Sequence, residues 1–552
     1  MKTILNIFLI PTAAAMLLAG CELERYPYNE ISADKLDATN LENITLGNYA
    51  QLKEEYYYKT LYQFGEYCGD NVTLSGTTSD NLYNHYTFRR LPNDHYTARV
   101  WQFTYQTVVN INSTIELVPE GESKEKDQLL GENYFLRGFL YFQLCNIFGR
   151  PYTQDPTANL GVPLKLTSKI NDFPPRATVA EVYEQIVKDF EKAASLMGSN
   201  KINIFASKEV AQAFLSRVYL YMENWAKAVE YADLVIGSGR YALLTGNDYK
   251  SYTYPVPEAN TETIFAIRMV KDVDFEKYHM NEYSVGALYA VIDNQGWGEM
   301  YPSETYLNLI DKNESDLRHA FIVPETDGGE LRLSYVYDSA GSYLNASSKV
   351  SLSSGNMYTI TENPNLYKSP VVQMEINNRQ TYYYVERADD NKKYYVRIEN
   401  IALRNGYPKR YIYKVSYQEG QSHLYSPVLI RLAEVYLNRA EAHAELGHES
   451  DALADLNVIR RRAQIPEVAS ADLASKSLLD RILDERRLEL AWEGFRKYDV
   501  FRKRQALDRR YPGTHLSGAP VYPTLEYTSP DIVELIPQSE MDAYPIPLTQ
   551  NP

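Results

Sequence analysis

The stretch SPVLIRLAEVYLNRAEAHAELGHESDALADLNVIRRRA, residues 426–463, decides the fold. Ser426 can cap a helix, and Pro427 suits its first position because the missing N–H costs nothing there. Gly447 interrupts the pattern. On both sides of it apolar residues recur at helical spacing: Leu429, Leu432, Val435, Tyr436, Ala452, Leu453, Leu456 and Ile459. The stretch therefore predicts two antiparallel helices, the first beginning at Pro427.

A helix pair of this length with glycine near its middle is the unit of tetratricopeptide repeats. One unit cannot bury its own apolar face, so further units are expected elsewhere in the chain. Residues 207–236 show the same pattern of a helix pair with apolar residues at helical spacing. Shifted by 224 positions, three of their apolar residues fall on matching ones: Ala228, Ala232 and Val235 on Ala452, Leu456 and Ile459. We predict a mostly α fold, a tetratricopeptide-like helix-pair scaffold built from both ends of the chain.

The middle of the chain has a different character. From about 241 to 425 the helical periodicity weakens, and alternating Tyr/Val segments typical of strands appear at four places: LRLSYVY from Leu331, TYYYVER from Thr381, KYYVRI from Lys393 and RYIYKVSY from Arg410. We predict that residues 241–425 form an irregular, partly β insert that holds the ligand site. Residues 21–240 would form an N-terminal helical region, and 426–552 a C-terminal helical region with its tail.

Other helices are expected over 33–60, 98–118 and 124–148. Thr178 and Glu181 have the spacing of a capping box, which predicts a helix start. The tail from Arg510 is rich in Pro and Tyr, and we expect it to run over the surface in extended form.

The segment ERRLELAWEGFRKYDVFR, residues 485–502, contains a charge pattern that needs an explanation. Glu485, Glu489 and Glu493 are four apart, which predicts like charges along one helix face. We expect the nearby arginines to offset them: Arg486, Arg487 and Arg496. Two of these glutamates could serve a glycosidase, which needs paired carboxylates across a sugar site. Glutamates beside arginine stay ionised and more often form a structural ion network.

Enzyme motifs are missing from the sequence. It contains no G-x-S-x-G, no G-x-G-x-x-G, no P-loop, no H-E-x-x-H and no C-x-x-C. His443 and His448 are separated by the helix-ending Gly447, which makes them a poor metal pair. We predict no catalytic residues, no metal and no cofactor.

The N-terminus, MKTILNIFLIPTAAAMLLAGC, is typical of an export signal, with a positive end at Lys2 and an apolar run up to Leu18. The order Leu-Ala-Gly-Cys resembles a lipobox, so residues 1–20 are predicted to be a lipoprotein signal peptide and Cys21 the lipidated residue. The alternative is a plain secretory signal with a chance cysteine. Several acyl chains on Cys21 would anchor the protein durably. No later run has the ~18 apolar residues of a spanning helix.

Two segments carry a family resemblance. Residues 485–502 look like the C-terminal signature of the SusD/RagB family of outer-membrane nutrient-binding lipoproteins, and GENYFLRGFLYFQLCNIFGRPY, residues 131–152, resembles the family's N-terminal half. The resemblance implies a lipid-anchored, surface-exposed protein of the cell outer membrane. It implies binding of an oligosaccharide, or in some members a peptide, and delivery to a SusC-type TonB-dependent transporter, on which the protein sits as a lid.

Loops rich in aromatic and amide side chains supply the candidate ligand site. Residues 64–90 are predicted to be a long loop because Gly, Asn, Asp, Ser and Thr dominate them. In the family, the loop after the first helices contributes to the ligand site. Trp297 lies between two glycines and is either an exposed platform or a plug that holds the insert on the scaffold. Sugar C–H faces stack on such rings, and sugar hydroxyls pair with amides. The candidate residues are Asn81, Tyr83, Asn84, Tyr86, Trp297 and Tyr301.

Composition narrows the choice of ligand. The net charge of −16 would repel a phosphate backbone, so nucleic acid is excluded as a partner, and strongly anionic polysaccharides are disfavoured. Three Cys exclude a disulfide scaffold. Two alternatives stay open: a peptide-binding member of the same family, and a helical-repeat adaptor with protein partners only. The lipobox favours a nutrient receptor, but the 49 Tyr suit glycan and peptide alike.

Overall fold

The structure is a computed structural model that describes residues 38–76, 82–275, 284–355, 357–377, 380–517 and 521–552. The predicted signal peptide, Cys21 and Asn81 lie outside the described residues. The described part contains sixteen α-helices: α1 (Ala38–Gln51), α2 (Glu55–Tyr62), α3 (Leu82–Tyr86), α4 (His95–Leu117), α5 (Lys124–Phe148), α6 (Val179–Leu196), α7 (Lys208–Tyr221), α8 (Trp225–Gly237), α9 (Gly246–Lys250), α10 (Lys271–Asp274), α11 (Glu304–Ile310), α12 (Leu432–Glu445), α13 (Glu449–Arg462), α14 (Leu478–Glu489), α15 (Arg496–Arg502) and α16 (Gln538–Ala543).

The strands of the described part are short outside the insert. They are β1 (Val72–Leu74), β2 (Leu160–Pro163), β3 (Arg176–Thr178), β4 (Thr263–Ala266), β5 (Met300–Pro302), β6 (Ile322–Pro324), β7 (Leu331–Ser339), β8 (Ser342–Ser353), β9 (Met357–Ile360), β10 (Gln373–Asn377), β11 (Gln380–Glu386), β12 (Lys393–Glu399), β13 (Leu403–Arg404), β14 (Tyr407–Pro408), β15 (Arg410–Ile412), β16 (Val428–Arg431), β17 (Leu507–Asp508) and β18 (Thr524–Leu525). No described helix is both long and apolar enough to cross a membrane.

The helix-pair scaffold is confirmed. Helices α7 and α8 form one antiparallel pair, α12 and α13 form another, and α12 packs against both helices of the first pair. Gly447 turns the chain between α12 and α13 with a positive φ of 76°. Ala440 and Ala452 are fully buried where the two helices approach. The predicted capping box also forms, since the Thr178 and Glu181 side chains each accept a hydrogen bond from the other's backbone N–H.

The predicted start of the deciding helix at Pro427 is wrong. Residues 428–431 instead form β16, which pairs antiparallel with β4, and the helix begins at Leu432. All four residues of each strand are buried. A short apolar run that is buried on both faces cannot be told from a helix segment by periodicity alone, which explains the error.

The insert contains a six-stranded antiparallel sheet in the order β10-β11-β12-β7-β8-β9. A bridge joins Thr359 to Val371, and the Val372 N–H donates to the Tyr358 carbonyl at 2.9 Å, so the two ends of the sheet meet. The sheet thus curls around a small apolar core of its own: Leu333, Tyr335, Val350, Ile360, Tyr367, Val372, Val385 and Val396. The strand predictions from Leu331, Thr381, Lys393 and Arg410 are confirmed as β7, β11, β12 and β15.

Two regions expected to be loop or surface are more ordered. Residues 64–90 include most of a π-helical turn (Gln63–Tyr67), β1 and α3, and Tyr67 and Tyr86 are fully buried. The tail from Arg510 is likewise tied to the helices. The Asn551 amide donates to the Phe148 carbonyl at 2.8 Å and accepts from Arg176 at 2.8 Å. Aromatic and amide groups scattered among polar residues are buried here by partners from distant parts of the chain.

Candidate functional site

A two-stranded ladder brings the two candidate stretches together. Strand β1 pairs antiparallel with β5, and Thr73 lies opposite Tyr301. Helix α3 is joined to the same ladder, because the Leu74 N–H donates to the Tyr86 hydroxyl at 3.0 Å. The segment that leads into β5 carries Trp297. We call residues 291–299 the Trp297 loop.

Trp297 stands on a rigid turn. Trp297 is 39% exposed, its backbone N–H donates to the Ala287 carbonyl at 2.7 Å, and its backbone carbonyl accepts from Arg404 at 2.5 Å. Gly296 and Gly298 flank it with φ of 93° and 53°. A Cβ on Gly296 would lie 2.2 Å from the Ala290 carbonyl oxygen, so the tight turn itself requires glycine. The turn presents the indole ring to solvent in a fixed orientation.

Charged groups surround the exposed indole. The Lys59 ammonium lies 6.0 Å from the ring centroid, within cation–π range. Arg404 also donates to the Glu299 carboxylate at 2.7 Å, which fixes its guanidinium beside the Trp297 carbonyl. A flat apolar ring framed by fixed hydrogen-bonding groups suits a ligand that has an apolar face and polar edges.

The structure places the other candidate residues differently. Tyr86 and Tyr301 are buried, with exposed fractions of 0% and 2%, so they support the ladder from inside. The Tyr86 hydroxyl also hydrogen-bonds to His515 Nδ1 at 2.9 Å. Tyr83 and Asn84 are half-buried on α3, and the Tyr83 hydroxyl donates to the Thr514 carbonyl at 3.1 Å. Of the described candidates, Trp297 offers the most accessible surface, and a ligand role for the set stays a prediction.

Two residues that hold the site together were missed. Arg404 braces the Trp297 loop, and the Asn405 amide donates to the Ser75 carbonyl at 3.0 Å just after β1. Both lie in the hairpin of β13 and β14, where Asn405 and Gly406 have φ of 52° and 83°. Asn-Gly between two extended segments is a strong hairpin signal, and it could have located these residues.

The three clustered glutamates form a buried ion network, as expected, but with other partners. Helix α14 ends at Glu489, and positive φ at Trp492 and Gly494 turns the chain away, so Glu493 is not on the same helix. Glu485 contacts Arg318 and Arg460, both at 2.7 Å. Glu489 contacts Arg431 at 2.6 Å and Arg462 at 2.5 Å. Glu493 contacts Arg431 at 2.8 Å and Lys414 at 2.6 Å.

The network keeps these carboxylates ionised. Burial would raise the pKa of Glu489, but the surrounding guanidinium groups, led by Arg462 and Arg431, hold it well below its ordinary value. The expected pairing with neighbouring arginines is wrong. Arg486 pairs with Asp499 at 2.8 Å, and both Arg487 and Arg496 pair with Asp70. Adjacent side chains on α14 point to different neighbours, and the spacing of residues in the sequence does not reveal which neighbour each one meets.

His443 and His448 are closer than their separation by Gly447 suggested. Their Nδ1 atoms lie 3.3 Å apart across the turn, within hydrogen-bond distance if one ring donates and the other accepts. With Asp451 they form the one group of three possible metal ligands among the residues that the structure describes. The group is largely exposed and spans the turn, with His443 on α12, His448 between the helices and Asp451 on α13.

Known proteins resemble the chain along nearly all of its length. SusD-like protein P38 of Formosa agariphila is 25% identical over 537 residues, which covers 89% of this chain and 90% of the relative. The crystal structure of a SusD superfamily protein from Bacteroides thetaiotaomicron superposes with a TM-score of 0.71 at 25% identity, covering 94% of this chain and 100% of that one. A putative sugar binding protein from Bacteroides vulgatus gives 0.68 at 25% identity, covering 93% and 98%.

Family models account for both halves of the sequence. Residues 23–220 match a SusD-like model described as starch-binding associating with outer membrane. Residues 261–552 match the SusD family model. Since that match alone spans more than half of the chain, and the helix-pair scaffold agrees with it, the protein belongs to the SusD family.

Proposed function

We propose that this protein captures oligosaccharides at the cell surface and delivers them to a SusC-type TonB-dependent transporter. Membership of the SusD family supports binding of a nutrient glycan. The description of the N-terminal family model joins starch binding with the outer membrane, and one similar structure is named a putative sugar binding protein. A lipid on Cys21 would hold the protein at the outer membrane, with its ligand site facing outward.

The observation that carries the proposal is the exposed Trp297 ring. A ring that is 39% exposed on a turn braced by Ala287, Arg404 and two glycines is already in position before any ligand arrives. Such preorganisation reduces the entropy cost of binding. Stacking of a sugar C–H face on the indole, with hydrogen bonds to polar groups around it, is the contact this geometry supports best.

Binding without catalysis is part of the proposal. The carboxylates that a glycosidase would need are not available in the α14 region. Glu485, Glu489 and Glu493 are at most 8% exposed, and each is paired with arginine or lysine. A general acid needs a raised pKa, whereas the pKa of Glu489 is lowered.

Isothermal titration calorimetry tests the function directly. The purified protein would be titrated with a panel of plant, host and microbial glycans and with mixed short peptides. We expect heat from one class of neutral glycan and none from the peptides. Heat from peptides alone would replace the proposal with peptide uptake, and the absence of heat from every glycan would contradict it.

A further inference from the structure

A large cleft lies between the curled sheet of the insert and the helical body. Its volume is ≈ 550 Å³, within the range of ligand sites, whereas other pockets of the described residues hold only ≈ 40, ≈ 30 and ≈ 20 Å³. One wall is α11 with the residues that follow it, including Asn308 and His319. The other wall is the outer face of β10, β11 and β12. We call it the insert cleft.

The sheet side of the cleft presents tyrosine rings. Glu375 lies opposite Tyr382, and Tyr384 lies opposite Tyr395, so strand alternation puts all four side chains on the outer face. Tyr395 is 55% exposed, and its hydroxyl donates to Glu375 at 2.6 Å. Its ring centroid lies 6.0 Å from that of Tyr382 and 6.4 Å from that of Tyr384. Tyr395 is therefore an exposed ring held in place by its neighbours.

An ion cluster forms the base of the cleft and fixes its two walls to each other. Arg397 on β12 donates to Glu304 at 2.8 Å, to Asp311 at 2.7 Å and to Asn308 at 2.8 Å. His319 lies 3.2 Å from Asp311 on the same side. Because Arg397 spans from the sheet to α11 and the residues after it, the cleft is preformed and its width is set by these bonds.

The charges around the cleft favour one class of ligand. Four carboxylates line the cleft, and three of them are paired with cations: Glu304 and Asp311 with Arg397, and Glu375 with Lys393. An anionic ligand would therefore meet little uncompensated positive charge in the cleft. A ligand with apolar faces for Tyr395 and hydroxyls for amide and carboxylate groups fits better, as a neutral sugar does.

We infer that the insert cleft is a second carbohydrate-binding site, which takes a neutral segment of the glycan that the Trp297 loop binds. The inference rests on the proposed function. The two sites are close in the chain, because Glu304 follows Trp297 by seven residues and extended backbone of that length spans at most about 25 Å. A long glycan that reaches both sites would gain affinity through effective concentration, whereas a short fragment would not.

Calorimetry on four variants tests the inference, with the neutral polysaccharide found by the glycan panel as the probe. Trp297→Ala reports on the first site, and the other three report on the cleft. Tyr395→Ala removes the exposed ring of the cleft, and Tyr395→Phe keeps it. Tyr254→Ala is the matched control, since Tyr254 is 52% exposed and does not line the cleft. We expect Tyr395→Ala to weaken binding about three- to tenfold, from the loss of one ring stack. Tyr395→Phe keeps the ring and should lose less affinity than Tyr395→Ala, and Tyr254→Ala should bind as the parent protein does.

Each outcome decides between the two claims. Unchanged affinity of Tyr395→Ala, with weakened binding by Trp297→Ala, would overturn the cleft and keep the proposed function. Equal losses in Tyr395→Ala and Tyr254→Ala would also overturn the cleft. No binding of any glycan by the parent protein would overturn both. A loss that is larger in Tyr395→Ala than in Tyr395→Phe and absent in Tyr254→Ala, with an unchanged melting temperature, supports the second site.

Discussion

At the residue scale, single buried arginines connect distant parts of this protein. Arg431 at the end of β16 contacts Glu262 at 2.7 Å, Glu489 at 2.6 Å and Glu493 at 2.8 Å, and all four side chains are at most 3% exposed. Each carboxylate was removed from water on folding, and only such contacts offset that cost. Arg431 is therefore a structural residue, and it lies in the stretch that decides the fold.

Replacing Arg431 therefore has a large predicted cost. We expect Arg431→Met to lower the free energy of unfolding by about 3–5 kcal/mol, because it leaves buried carboxylates uncompensated. Urea unfolding followed by circular dichroism would measure it. Arg461→Met is the control, since the Arg461–Glu467 pair is about half exposed and should contribute less than about 1 kcal/mol. Similar losses in both variants would contradict the assignment.

The buried His85 should make the stability of the fold depend on pH. Burial would lower its pKa, but Glu534 and Asp94, whose carboxylates lie 3.5 and 3.1 Å away, raise the pKa to about 9. Since this is above the unfolded value of about 6.5, the charged histidine stabilises the fold fully below that pH. The contribution is lost as the pH rises through about 9.

The comparison of parent protein with His85→Gln isolates this contribution. We expect the difference in unfolding free energy between the two to be largest near pH 6 and to shrink by about 3 kcal/mol by pH 10. Denaturant unfolding at a series of pH values would measure it. A difference that is constant across this range would show that His85 is not charged in the folded state.

The predicted anchoring of the protein to the membrane depends on Cys21. If it is the lipidated residue, Cys21→Ser should move the protein from the membrane fraction to the soluble fraction, because the acyl chains supply the membrane affinity. Metabolic labelling with palmitate followed by cell fractionation would show both effects. Labelling that persists in Cys21→Ser would contradict the lipobox interpretation.

At the scale of elements, a close backbone contact shapes the π-helical turn that precedes β1 in the chain. Gly65 in the π-helical turn faces Gly494, and a Cβ on Gly65 would lie 1.8 Å from the Gly494 carbonyl oxygen. Because that neighbour is backbone, the turn would have to move. This packing explains why residues 64–67, expected to be loop, form a buried element.

The predicted consequence is a marked difference between two glycine substitutions. Gly65→Ala should lower stability by about 1–3 kcal/mol or more through overpacking. Gly47→Ala on α1 meets nothing within 4 Å and should raise stability by up to about 1 kcal/mol through helix propensity. Thermal unfolding of both variants would measure the contrast. Two substitutions of equal effect would contradict the close contact.

Sequence patterns predicted elements well where one periodicity dominated. The α7–α8 and α12–α13 pairs and the strands of the insert have clear helical or alternating patterns. Strand β16 was predicted as helix because its four residues are all buried. The turn after Glu489 depends on positive φ at Trp492, a non-glycine residue, and no local pattern indicates that.

At the scale of the whole molecule, both ends of the chain build one scaffold. Arg217 on α7 pairs with Glu434 on α12 at 2.5 Å, and Arg176 reaches Asn551 in the tail. The 224-residue repeat predicted this arrangement of helix pairs. The surroundings of the site were less predictable, since Tyr86 is buried against His515 and Trp297 is braced by Arg404, and both contacts join segments more than 100 residues apart.

The most direct test of the account is the glycan affinity of Trp297→Ala, measured by calorimetry beside Trp225→Ala. Trp225 is a half-buried tryptophan on α8, outside the proposed site. Loss of the exposed indole removes a stacking surface, so we expect at least about a tenfold weaker binding, equal to ~1.4 kcal/mol, in Trp297→Ala alone. Parent-like affinity in Trp297→Ala would contradict the claim that this loop holds the ligand.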